Sequence, residues 1–200
     1  MYTETAVAGA PDGGYPLRFD IEYPEQLSRW LIFVKWLLVI PHFLILYALG
    51  AVVNIITFIA FFAILFTKRY PKGLFDFVVN VYRWQENVFA YYALFRDEYP
   101  PFSWEPGKYP VTFEVEYPEN LSRWMIFVKW LLVIPHFIVL MFLYIAALAV
   151  WFIAWFAILF TGRFPRGLFD FLVGVSRWSL RVNAYAFLLL RDDYPPFSLR

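Results

Sequence analysis

His42 and His136 are the only imidazoles in a chain of 200 residues that contains no cysteine. They occupy equivalent places in two copies of one run, FVKWLLVIPHF, at Phe33–Phe43 and Phe127–Phe137. Facing one another across a twofold axis, two imidazoles could hold a haem iron or another metal. No Cys, Met or carboxylate cluster accompanies them. A polar residue beside a proline serves equally to bond backbone that the proline has freed. The expectation is therefore no cofactor, with haem between His42 and His136 as the alternative.

The second candidate is a stripe of charge. Asp76, Asn80, Arg83 and Asn87 fall at steps of four, three and four, which is one face of a helix. Asp170, Gly174, Arg177 and Arg181 repeat the spacing. Inside a bilayer such groups must be paired or wetted, and a water-filled pathway for ions or protons could be lined this way. At an interface the same residues form a solvated face, and Asp76 in a first turn suits the helix dipole. Arg69, Lys72, Arg163 and Arg166 cluster in the turns before these helices, where they anchor topology or meet lipid headgroups. Nothing resembles a phosphate loop, a zinc-protease helix or a nucleophile with its base. An enzyme is not expected.

The elements that position these residues are dominated by lipid-like composition. Hydrophobic residues make up 62% of the chain, aromatics 24% and charged residues 16%. A soluble domain carries roughly a quarter charged residues and about half apolar ones, so one globular core cannot absorb this excess. Net charge is +1, which supplies no field for nucleic acid. Absent cysteine removes disulfides and thiolate chemistry. Residues 1–14 read as a flexible polar tail without the basic start and apolar run of a signal peptide.

The chain matches itself at an offset of 94 residues, from Phe33 to Phe127, with one additional residue late in the second copy. Residues 15–103 form one unit, 104–108 a linker and 109–200 the second unit. Matching basic residues (Arg29/Arg123, Lys35/Lys129, Arg69/Arg163, Arg83/Arg177) favour one shared orientation, and so an even number of crossings per unit.

Each unit opens with alternation. Leu17, Phe19, Ile21 and Tyr23 interleave with Arg18, Asp20 and Glu22, the pattern of a half-buried strand. Two such strands pair with one another across the pseudo-twofold axis, or with strands of a second chain. An apolar stretch from Leu31 to Thr67 follows. As one helix it would be roughly 55 Å long, nearly twice a hydrocarbon core, so it must bend, and Pro41 and Pro135 mark the place. One reading is an interfacial helix over Leu27–Ile40, with Arg29 and Lys35 snorkelling to headgroups, followed by a tilted span from Pro41 to Thr67. The other is a hairpin turning near Gly50. Tyr144 stands at the matching place with no turn residue nearby, which favours the tilted span. A turn rich in basic residues, placed on the cytoplasmic side, leads to a helix over Leu74–Phe95, and RDEYPPF closes the unit.

The runs RFDIEYPE, SRWLIFVKWLLVIPHF, FFAILFT-x-RYP-x-GLFDFVV and RDEYPPFS together resemble the DUF4389 family of prokaryotic membrane proteins. The resemblance covers nearly the whole chain in both copies. It implies a tandem protein of a prokaryotic cytoplasmic membrane and assigns no functional residue. The expected fold is a mostly α integral membrane protein with a pseudo-twofold repeat, each unit a short strand, an interfacial helix, a kinked hydrophobic span and an amphipathic aromatic-rich helix, about four spans in all. The expected role is non-catalytic: an accessory or scaffold subunit of a membrane complex, or a homo-oligomer, in contact with lipid and other membrane subunits. The alternatives are a small channel or transporter lined by the Asp/Arg stripes, and a membrane-shaping hairpin protein.

Overall fold

The computed structural model describes residues 14–200; the expected tail lies, up to residue 13, outside them. The two expected strands form β1 (Leu17–Ile21) and β2 (Val111–Val115), and they pair with one another antiparallel. Phe19 stands opposite Phe113, with Leu17 opposite Val115 and Ile21 opposite Val111. This register is self-complementary, because Phe113 is the repeat equivalent of Phe19. The pseudo-twofold axis therefore passes between those two residues. The alternation has its physical reason: Leu17, Phe19, Ile21, Val111 and Phe113 are buried, while Arg18, Asp20, Thr112 and Glu114 face out.

After β1 the chain makes a 3-10 turn at Leu31–Phe33 and a one-turn helix α1 (Lys35–Leu38). It then enters α2 (Ile40–Thr67), 28 residues without interruption at Gly50. At 1.5 Å per residue α2 is roughly 42 Å long. The helical stretch is interrupted at Val39, two residues before Pro41. Pro41 sits in the first turn of α2, where a missing N–H costs nothing. Lys68 ends the helix in the left-handed region at φ 61°, and its N–H bonds to the Ile64 carbonyl. Glycine, the residue that region favours, stands at the equivalent Gly162, φ 69°.

The next helix, α3 (Lys72–Tyr92), begins directly after Pro71, two residues earlier than expected. Unit 2 repeats the plan with α4 (Met125–Leu132), α5 (Ile134–Thr161) and α6 (Arg166–Ala186). Its extra residue is absorbed between Tyr185 and Arg191, where the chain leaves α6.

The units are intertwined. α3 of unit 1 packs on β2 of unit 2, and α6 of unit 2 packs on β1 of unit 1. The long helices pack in turn on α3 and α6, so α3 and α6 form a middle layer. Short backbone bonds stitch the seam: Leu27 N–H to Gly162 O and Leu121 N–H to Lys68 O, both 2.8 Å. One core cluster runs through both units and includes Phe19, Phe113, Ile64, Ile158, Val78 and Leu172.

Because Phe113 is fully buried at the axis, Phe113→Ala is expected to destabilise the chain by about 3–5 kcal/mol. The exposed neighbour change Thr112→Ala should stay within about 0.5 kcal/mol. Denaturant unfolding in mild detergent measures both; equal effects would contradict the assigned register.

Candidate functional site

The two runs that the copies share most fully, FVKWLLVIPHF and R-D-x-Y-P-P-F-S, meet at one place in each unit. After α3 the exit segment folds back over the start of α2. Lys35, 1% exposed, points into the body and not to solvent. Its Nζ lies 2.7 Å from Asp97 Oδ1, donates to the Arg96 carbonyl at 2.6 Å, and stands 5.0 Å above the Tyr91 ring. Asp97 Oδ2 accepts from the Ser28 N–H at 2.5 Å. The expected snorkelling of Lys35 toward headgroups is thus corrected. An ammonium that finds a carboxylate, a carbonyl and a ring face inside the body has no reason to reach outward. Burial pulls the Lys35 ammonium below its ordinary pKa, and the hydrogen bond and charge of Asp97 oppose that shift. Unit 2 repeats the geometry with Lys129, Asp192, Arg191 and Tyr185.

One turn further on, His42 is fully enclosed. Phe102 stacks on the imidazole at 3.9 Å with planes 10° apart, and Tyr99 and Trp84 complete an aromatic cage. Trp84 Nε1–H donates to His42 Nδ1 at 3.2 Å. Because Nδ1 accepts, the proton of the neutral ring belongs on Nε2. His136 has the same cage from Trp178, Tyr194 and Phe197, with Trp178 donating to Nδ1 at 2.9 Å. Every ring around His42 comes from unit 1 and every ring around His136 from unit 2. Among the described residues no group of three or more His, Cys, Asp or Glu side chains is arranged to hold a metal ion.

The charged stripe is divided. Asp76 and Asp170 lie at the surface and take local partners, Lys72 Nζ at 2.8 Å and Arg166 Nε at 3.0 Å. Lys72 and Arg166 also cover the rings of Tyr117 and Tyr23 from the opposite unit. Arg83 turns inward to the seam, where it donates to Asn80 Oδ1, to the Phe113 carbonyl and to the Trp104 carbonyl. Arg177 donates to the Phe19 carbonyl at 2.7 Å, to Leu199 O and to Asp20 Oδ1. Both arginines therefore clamp the strand of the other unit at the residue on the axis. Arg181, buried, donates to the Arg200 carbonyl and lies against the Tyr15 ring. Arg69 and Arg163 are exposed in the turns before α3 and α6.

A family model, Domain of unknown function (DUF4389), matches residues 29–103 and again 123–198. The chain belongs to the DUF4389 family, in two tandem copies. Each match begins at the arginine before the helical stretch and closes just beyond the histidine cage. One DUF4389 copy thus holds a complete Lys–Asp and His–Trp site. No curated protein and no solved structure matches the chain.

The sequence offered no sign of the Lys35–Asp97 pair, because its partners lie 62 positions apart. Both residues recur at matching places in the two copies, as Lys35/Lys129 and Asp97/Asp192, but that recurrence does not pair them. Glu86 is a buried carboxyl in α3 whose place in unit 2 is taken by Leu180.

Removing one member of a buried pair leaves the other charge uncompensated. Asp97→Ala is therefore expected to cost about 3–5 kcal/mol, and Lys35→Met with Asp97→Leu much less than the sum of the singles. Additive losses in a double-mutant cycle would argue against coupling. Desolvation pushes the Glu86 carboxyl up to about 8 from its ordinary 4.5. The folded chain then keeps a proton that the unfolded chain releases. The contribution is full below about pH 4.5 and is lost as pH rises toward 8. Glu86→Gln should flatten stability across that window; an unchanged slope would show that Glu86 is not its source.

Proposed function

We propose that this DUF4389 protein is a membrane-embedded, non-catalytic protein that acts through contact, as an accessory or scaffold subunit beside other membrane proteins. The observation that carries the reading is the bare apolar surface of the long helices. α2 and α4–α5 are long and apolar enough to cross a bilayer, yet only 22% and 11% of their most apolar stretches are buried. A core helix of a soluble protein would be mostly covered. An apolar patch of this extent in water invites aggregation, whereas lipid covers it at no cost. Exposed Trp30, Trp36, Trp124 and Trp130 flank it, in keeping with an interfacial belt. The resemblance to prokaryotic membrane proteins points the same way.

Contact rather than conduction is favoured because the charges that a pathway would need are used locally, Asp76 and Asp170 in exposed pairs and Arg83 and Arg177 at the seam. The accessory role is favoured over self-assembly by strand exchange, since β1 already has its partner within the chain. What remains for a partner is the polar outer face of the hairpin.

The chain is expected to stay in the membrane pellet through alkaline carbonate washing. Gentle extraction and native mass spectrometry should then find it with a stoichiometric foreign subunit. Release by carbonate would overturn the membrane reading. A homogeneous species made of this chain alone would overturn the accessory role and leave the membrane reading standing.

A further inference from the structure

The pseudo-twofold axis and the contacts across it carry a statement about how the long helices meet lipid. Two antiparallel strands are related by an axis normal to their sheet, so the axis leaves the molecule through the outer face of the hairpin. That face carries Arg18, Asp20, Glu22, Thr112, Glu114 and Glu116, all exposed. If the axis lay in the membrane plane, this charged face would look sideways into hydrocarbon. With the axis along the membrane normal, it looks into water.

Residues equivalent in the two units share one height along that axis. Phe33 meets Trp155 with ring centroids 5.5 Å apart, and Phe61 meets Phe127 at 5.5 Å. Phe61 is the equivalent of Trp155, so Phe33 and Phe61 lie at nearly one height. The stretch of α2 between Ile40 and Phe61 alone runs roughly 32 Å. A second route agrees. Trp151, equivalent to Thr57, donates to the Ala93 carbonyl at 3.1 Å. Ala93 follows Tyr91 closely, and Tyr91 packs in one cluster with Val39 at the start of α2. The start of α2 and its residue 57 are thus held at similar height although 18 positions apart.

Packing shows the same thing from the side of the helix. His42, Val53, Ile56, Ala60 and Ile64 are buried, with Leu46 and Leu49 half-buried between them. The steps of four, three, four, three, four and four make one stripe from end to end. α2 therefore rests on the body over its whole length, and only its opposite face is bare.

From these observations we infer that α2 and α5 lie across the membrane normal and insert their outer faces into a single leaflet, so that the lipid partner is the acyl layer of one monolayer and not a full bilayer. This rests on the membrane reading above. The hairpin, both ends of each long helix and the linker then share one side. The chain displaces lipid from one leaflet only and acts as a wedge.

The test uses the absence of native cysteine. Leu44, Ile55 and Phe66 are 70%, 61% and 69% exposed. They are spaced by eleven residues, about three turns, and so share one face of α2. Leu44→Cys, Ile55→Cys and Phe66→Cys are spin-labelled singly in the full chain. Each is reconstituted in vesicles of phosphatidylcholine and phosphatidylglycerol, and depth is read from oxygen against nickel-complex relaxation. One common depth for the three labels is expected. A deep label at Ile55, with Leu44 and Phe66 near opposite surfaces some 33 Å apart, would overturn the one-leaflet inference and leave the membrane reading intact. Water-like relaxation at all three positions would overturn both. Ile138→Cys and Phe160→Cys in α5 repeat the comparison where a variant fails to fold.

Discussion

Everything in this fold depends on the antiparallel pairing of two five-residue strands about Phe19 and Phe113. A two-stranded ribbon is marginal by itself in water. Here its apolar face is packed on α3 and α6, and the carbonyls of the two axial phenylalanines accept from Arg177 and Arg83. The pairing fixes the symmetry axis. The axis then dictates that α3 meets the strand of unit 2 and α6 the strand of unit 1, so neither copy completes a core without its twin.

Within each copy the long helix is held at both ends by chemistry specific to its sequence. At its start, Lys35 and His42 are captured by Asp97 and Phe102 of the returning exit segment together with Trp84 of α3. At its end, the backbone of Lys68 or Gly162 is tied to the other unit, and Arg123 donates to the Phe66 carbonyl. A cation there also answers the negative end of the helix dipole. The outward face is apolar except for the exposed Asn54 of α2, so most of the polar chemistry lies on the body side and at the rims. The proposed contact with lipid on one side and with protein on the other rests on that division.

Much of the architecture was legible in the sequence because it is local. The alternation over Leu17–Tyr23 gave the strands, the offset of 94 gave the repeat, and the absence of a turn residue at Tyr144 argued for one continuous helix. The family resemblance rested on runs long enough to be specific, and the family model bears it out. What was hidden depends on separation along the chain. Lys35 next to Trp36 looks like an interfacial anchor until Asp97 is folded beside it. The rings that enclose His42 and His136 come from segments up to 60 and 61 positions away, Phe102 and Phe197, and so do not show in the IPHF run itself. The Asp76–Arg83 stripe is regular in sequence, yet its ends serve different surfaces, because a helix in the middle layer has a neighbour on more than one face. Hydropathy alone cannot separate a helix that crosses a bilayer from one that lies along it, since both present long apolar surfaces; the contacts across the axis, Phe33 with Trp155 and Phe61 with Phe127, join residues far apart in the chain and are invisible to it.

The direction of α2 and α5 relative to the membrane normal separates a one-leaflet placement from a bilayer crossing. Polarised infrared spectroscopy of aligned bilayers reads it directly, with a 13C=18O carbonyl label at Ala60 and at its equivalent Ala154, both fully buried in the packed stripe. Dichroism showing the labelled helices near the membrane plane is the predicted result. Dichroism showing them near the membrane normal would contradict the account.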